Sequence, residues 1–268
     1  MTDYEEKYSF LRKNIQSENK SSKREPFKAF EIQGKILQNL KLLKSLIQSE
    51  KVQQNFFDQE DYSKLNLEKN GVKKIQNKIV DELVECKDED LARFSIPKKY
   101  YDECYELLIS AWRRKVNQKY SQTLTFTEFT FNLESFRAFI VAISLNVTLK
   151  ALRLEACKLK EKEMKLLGVF IKIHPTIQIL HLDNNPIKDE GLELILAALK
   201  FNDQLLHLSL VNTFITNISA KRLSETISQR PLKSLNLEKN KFNQDSLGIL
   251  ITACTAAGCE LLYDLADD

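Results

Sequence analysis

The amino-acid sequence predicts a curved α/β solenoid, with short parallel strands on an inner arc, helices on an outer arc and a helical cap at the N-terminal end. Three observations predict it. Apolar residues recur at fixed offsets every 27–28 residues. A second apolar set follows each first set at helical spacing. The two patterns stay in phase over five consecutive units, as in a chain built of stacked supersecondary repeats.

The strands come first in each unit. Counted from Leu149, offsets 0, 3, 5 and 10 hold Leu149, Leu152, Leu154 and Leu159. The next units give Ile177, Leu180, Leu182 and Ile187, then Leu205, Leu208, Leu210 and Ile215, then Leu232, Leu235, Leu237 and Phe242. One step earlier, from Ser121, Leu124, Phe126 and Phe131 keep the spacing. Offset 8 holds Cys157, Asn185, Thr213 and Asn240. Such side chains can bond the backbone where the chain leaves the strand, a place where unpaired backbone groups are costly.

The helices follow at offsets 15, 18 and 22. These hold Phe136, Phe139 and Ile143; Met164, Leu167 and Ile171; Leu192, Ile195 and Leu199; Ala220, Leu223 and Ile227; and Leu247, Leu250 and Cys254. Steps of three and four place each set on one helical face. One strand and one helix cannot bury these faces alone, whereas stacked units share a continuous core. Leu262 and Leu265 read as a terminal strand before an acidic tail, Asp267 and Asp268.

The pattern is L-x-x-L-x-L-x-x-N/C-x-L with a full helix per unit. Over residues 121–260 the chain resembles ribonuclease-inhibitor-like leucine-rich repeat proteins. The resemblance implies a binding protein with a protein partner in a larger complex. It implies no enzyme, no cofactor and no small-molecule substrate.

Three parts are expected: a helical N-terminal segment and cap over residues 1–61, degenerate repeats over 62–120, and the solenoid with its terminal strand over 121–268. In the first, Pro26 opens a helix whose stripe is Phe30, Ile36, Leu37, Leu40, Leu43 and Ile47. That stripe either caps the first repeat or docks a partner, and the cap is the simpler reading. In the second, Tyr62 at offset 0 places Leu65, Leu67, Asn70 and Val72 in the repeat pattern, with Ile75, Ile79 and Leu83 as its helix. Residues 65–70, Leu-Asn-Leu-Glu-Lys-Asn, recur verbatim at 235–240. A further unit counted from Leu91 takes in Phe94 and Ile96, with Tyr101, Cys104, Leu107, Leu108 and Trp112 as its helix.

Composition narrows the function. With 40 basic and 37 acidic residues the net charge is +3, which leaves no nucleic-acid footprint. No apolar stretch reaches membrane-spanning length. Five irregularly spaced cysteines without a signal peptide fit a reduced, cytoplasmic compartment. There is no Gly-x-Ser-x-Gly, P-loop or Gly-x-Gly-x-x-Gly, and no zinc-ligand spacing among Cys and His, so neither a catalytic residue nor a metal is expected.

Strand side chains alternate between faces. With offsets 3 and 5 inward, the concave face comprises Arg153, Glu155, His181, Asp183, Asn184, His207, Ser209, Asn212, Asn236, Glu238 and Lys239, the expected partner-binding surface. Glu155, Asp183 and Glu238 form an acidic column that favours a basic partner. His181 beside Asp183, Arg153 and Ser209 reads first as a solvated ladder and second as a partner footprint. A helical N-terminus with few repeats also resembles the leucine-rich repeat subunits of ciliary axonemes, in radial spokes and the nexin–dynein regulatory complex. The alternatives are a GTPase-activating regulator and a ubiquitin-ligase adaptor or inhibitor. The first needs a loop arginine, whereas Arg153 falls on a strand; the second needs an F-box, which is not recognisable.

Overall fold

The computed structural model describes residues 34–45, 62–94, 100–119, 122–144 and 146–264. Pro26, Phe30, Ile47, Ile96, Ser121, Leu265 and the acidic tail lie outside the described residues. Helix α1 covers 34–45, followed by α2 (Tyr62–Glu85), α3 (Asp88–Ala92) and α4 (Tyr101–Lys119). Then strand and helix alternate: β1 (Thr123–Thr127), α5 (Leu133–Ser144), β2 (Ala151–Glu155), α6 (Glu161–Ile173), β3 (Ile179–His181), α7 (Lys188–Leu199), β4 (His207–Ser209), α8 (Asn217–Gln229), β5 (Ser234–Asn236), α9 (Gln244–Ala257) and β6 (Glu260–Leu262).

The six strands form one parallel sheet in chain order. The repeat register is the pairing register: Leu124, Leu152, Leu180, Leu208, Leu235 and Leu261 stand in one row. Every complete repeat from Leu149 onward buries its apolar residues at offsets 0, 3, 5 and 10, together with the helical set at 15, 18 and 22. The resulting core runs unbroken from Ile36 to Cys259.

The first expected repeat is replaced by helix. Residues 62–85 are one continuous α-helix, so the hexapeptide of 235–240 is helical at 65–70 and strand-then-turn in its second copy. Leu, Glu and Lys are good helix formers, and a helix satisfies its own backbone. A strand needs a neighbour, which β4 and β6 supply to β5. The unit counted from Leu91 is corrected likewise. Leu91 belongs to the short α3, not to a strand, although Cys104, Leu107, Leu108 and Trp112 form the expected buried face of α4.

The N-terminal helices close onto the first repeat through an aromatic cluster. Trp112 of α4 meets Phe126 of β1 edge-on at 6.0 Å and Phe139 of α5 at 5.2 Å. Its Nε1 donates to Ser135 Oγ (3.2 Å), whose hydroxyl donates to the Leu91 carbonyl (2.7 Å). Ile36, Leu40 and Leu43 of α1 are fully buried, and Asn39 donates to Glu82 of α2 (3.0 Å). Among the described residues, this part of the α1 stripe is thus covered by the chain itself.

Candidate functional site

The concave face is held from behind by a polar rung at offset 8. Asn185, fully buried, donates through Nδ2 to the carbonyls of Leu154, Leu182 and Asp183 and accepts from Leu159 N at 3.1 Å. Asn240 repeats this two rungs later, accepting from Thr213 N and Ile215 N and donating to Leu210 and Leu237. Cys157 stands in by donating to the carbonyls of Phe126 and Glu155, and burial pushes its thiol up to about 12. It is a structural thiol, not a nucleophile.

The next column explains why the strands end together. Glu128, Ala156, Asn184, Asn212 and Lys239, all at offset 7, adopt φ between 52° and 61°. This left-handed turn aims each N–H at the following repeat: Glu128 to Glu155 O, Ala156 to Asp183 O, Asn184 to Val211 O and Asn212 to Glu238 O. In the last rung Lys239 N takes the Asp264 carboxylate instead (2.9 Å). Asn184 and Asn212 suit the position because Asn tolerates this conformation, and their side chains join at 3.0 Å.

The strand residues form three outward rows. In the middle one, Arg153, His181, Ser209 and Asn236 are in register. Arg153 Nη1 donates to His181 Nδ1 (3.1 Å), so the imidazole is neutral and carries its proton on Nε2. Burial and the Arg153 charge lower the His181 pKa, against the pull of Asp183 and Glu155. Glu155 Oε1 and Asp183 Oδ2 each lie 3.9 Å from the same nitrogen. Asp183 accepts from Ser209 Oγ (2.6 Å) and Val211 N (2.9 Å). Glu155, His181 and Asp183 offer three ligand atoms within 4.8 Å, but the guanidinium already occupies the imidazole lone pair that a cation would need.

Of the eleven expected surface residues, five therefore gather in one cluster: Arg153, Glu155, His181, Asp183 and Ser209. Ser209 is only 7% exposed and supports Asp183 from beneath. Asn236, which stands beside Ser209 in the sheet, bonds Glu238 of its own repeat (3.0 Å). His207 pairs with Ser234 at 2.8 Å, a partner absent from the expected set although the strand register places the two side by side. Asp264 was also missed; it extends the acidic column beyond Glu238.

A second polar ladder, three residues before each strand pattern begins, had no visible sequence signal. Asn146 accepts from Thr148 N and Leu149 N, and Asn202 accepts from Gln204 N and Leu205 N. Asn202 also donates to the carbonyls of Ile171 and His174, and Arg230 Nε donates to Asn202 O. His174 fills the matching place in its own repeat, with Thr176 N on its Nδ1 at 3.4 Å and its Nε2 buried on the side of the Asn146 and Ile143 backbone.

Elsewhere, a cleft of about 330 Å³ is lined by Val84, Lys87, Asp88, Lys115 and Gln118. It is a structural seam, because Lys115 pairs with Asp88 at 2.7 Å where both are nearly buried. No helix among the described residues is long and apolar enough to cross a membrane.

A family model for the leucine-rich repeat matches residues 232–255, the β5–α9 unit. The fold is that of a leucine-rich repeat solenoid. Two mouse (Mus musculus) proteins, NACHT, LRR and PYD domains-containing proteins 4C and 4B, are each 30% identical to it over 115 and 119 residues. Those segments cover 42% and 44% of this chain but only 12% and 14% of the relatives. Among solved structures, leiomodin-1 actin-binding site 2 aligns with TM-score 0.47 and 17% identity over 61% of this chain and 91% of that one. The tropomodulin C-terminal domain of Caenorhabditis elegans aligns with TM-score 0.48 and 13% identity, over 56% and 92%.

Proposed function

We propose that this leucine-rich repeat chain is a non-enzymatic protein–protein interaction scaffold whose concave strand face receives a basic segment of a protein partner. The observation that carries this reading is the state of that face. Its side chains are half-buried, polar and hydrogen-bonded to one another, so the surface is already ordered before a partner arrives. A preordered surface loses little side-chain freedom on binding. Glu155, Asp183, Glu238 and Asp264 give it an acidic edge. Parallel solenoids present such a concave arc to partners.

The finer reading is a ribonuclease-inhibitor-like repeat chain acting as a structural subunit of a large intracellular assembly such as a ciliary axoneme complex. It rests on architecture: a helical N-terminal part followed by few repeats. The test is a tagged pull-down from the native cell, extracted at stepped salt and read by mass spectrometry. A salt-resistant particle with cytoskeletal subunits supports the scaffold, and its loss on joint Glu155→Lys and Glu238→Lys reversal supports the acidic face. Recovery of a soluble complex with a GTPase or a ligase core rejects the scaffold reading. An unchanged particle after charge reversal rejects the concave site.

A further inference from the structure

The outer side of the solenoid carries a second surface, confined to three repeats. Offset 20 is apolar and exposed in each: Val141 on α5, Val169 on α6 and Ala197 on α7. One helical turn further, Ile173 and Phe201 are 58% and 67% exposed. Residues four apart share a helix face, so Val169 and Ile173 adjoin, as do Ala197 and Phe201. Lys172 Nζ lies 4.3 Å from the Phe201 ring centroid, which brings the end of α6 against the turn after α7. In the next repeat the same two offsets hold Glu225 and Gln229, so the patch stops at α7.

The rim is basic. Arg137, Lys172 and Lys200 are exposed around the apolar residues. The acidic neighbours Glu193 and Glu225 share Arg222 of α8 at 3.5 and 3.6 Å on the α8 side, and Lys165 is balanced by Glu161 at 2.8 Å, which leaves Arg137, Lys172 and Lys200 as the cations of the edge. An apolar strip edged by cations complements one kind of occupant. We propose that α5–α7 dock an amphipathic helix of a protein partner, with apolar residues one turn apart and carboxylates on its flanks. This surface lies opposite the concave face, so the two can be occupied together, and the scaffold joins one basic and one acidic partner segment.

The test is fluorescence anisotropy of the full chain with two labelled synthetic peptides. Both place leucines at helical spacing; one fills the other positions with glutamate, the second with lysine. The glutamate peptide is expected to bind, more weakly as NaCl rises from about 50 to about 300 mM, and the lysine peptide is not. Phe201→Ser with Ile173→Ser should weaken binding about tenfold or more, while thermal unfolding stays unchanged because both side chains are exposed. Lys172→Glu with Lys200→Glu should weaken it and flatten the salt dependence. Equal binding of both peptides, no binding of the glutamate peptide, or binding insensitive to these substitutions overturns the proposal. So does a dimer in analytical ultracentrifugation that Phe201→Ser abolishes, since the occupant is then a second copy. Glu155→Lys with Glu238→Lys should leave glutamate-peptide binding intact or strengthened, so this surface stands or falls separately from the concave site.

Discussion

Single side chains carry much of this fold's precision. Asn185 was legible because offset 8 falls where buried backbone groups need both a donor and an acceptor, and an amide serves both signs. Asn185→Ala strands Leu159 N and the Leu154 carbonyl, among others. At about 1–3 kcal/mol for each buried group left unpaired, it should lower unfolding free energy by about 3 kcal/mol in urea titrations. The ladder through Asn146, His174 and Asn202 was not legible. Its residue type changes from rung to rung, and the 27-residue step shifts the Arg230 contribution by one place. It has a consequence in pH. Burial lowers the pKa of His174, opposed by the backbone of Asn146 and Ile143, and burial with Arg153 lowers that of His181. The unfolded chain, whose histidines titrate near about 6.5, then binds protons more readily than the folded one. The stabilisation is complete above that pH and is lost as pH falls toward the folded values. The urea midpoint should drop between pH 7 and 5. His174→Asn, which restores the residue used by both neighbouring rungs, should reduce that drop and change the pH 7 midpoint little. An undiminished drop would assign the effect elsewhere.

Between helices, small residues decide how closely repeats approach. Gly191 opens the first turn of α7, where a Cβ would meet Ile187 Cγ2 at 2.7 Å and Met164 Cγ at 3.1 Å. Gly248 lies in α9 with nothing within 4 Å of the same point. Alanine gains roughly 0.5–1 kcal/mol of helix propensity over glycine in a helix interior, so the two substitutions should differ in sign. Gly248→Ala should raise the melting temperature. Gly191→Ala should lower it, since overpacking costs about 1–3 kcal/mol. The helix starts follow a similar logic of local fit. Thr216 and Asn243 cap α8 and α9. Asp189 of α7 accepts from Thr216 and Ser219 at the start of α8, and against the upward push of burial these bonds hold its carboxyl below the usual range.

Over the whole molecule, the open end of the sheet at β1 is closed by the N-terminal helices, and Trp112 is the centre of that closure. It touches Phe126, Phe131 and Phe139 and anchors Ser135. Trp112→Ala should cost about 3–5 kcal/mol. If the helices and repeats form one cooperative unit, as the unbroken core implies, circular dichroism and the intrinsic fluorescence of the tyrosines should still report a single transition at a lower midpoint. Two separated transitions would show that the cap unfolds alone. The concave and outer surfaces are both products of this scale, because each draws side chains from several repeats.

Local spacing was enough for the repeats after Leu149. A strand period of two and a helical step of three and four leave few ways to bury Leu152, Leu154, Leu167 and Ile171 together, and the register of the sheet simply follows. It also assigned alternate strand positions to the outward face, since side-chain alternation is local, although Ser209 in that row is only 7% exposed. Spacing failed at Leu-Asn-Leu-Glu-Lys-Asn, where the same six residues are helical in α2 and strand-then-turn at β5, between β4 and β6. Hydrogen bonding to a neighbouring strand is a long-range event, and no local pattern contains the neighbour. The same holds for which concave side chains are engaged, with Arg153 on His181, Ser209 on Asp183 and His207 on Ser234. These partners lie 26–28 residues apart and meet only because stacking brings successive repeats side by side.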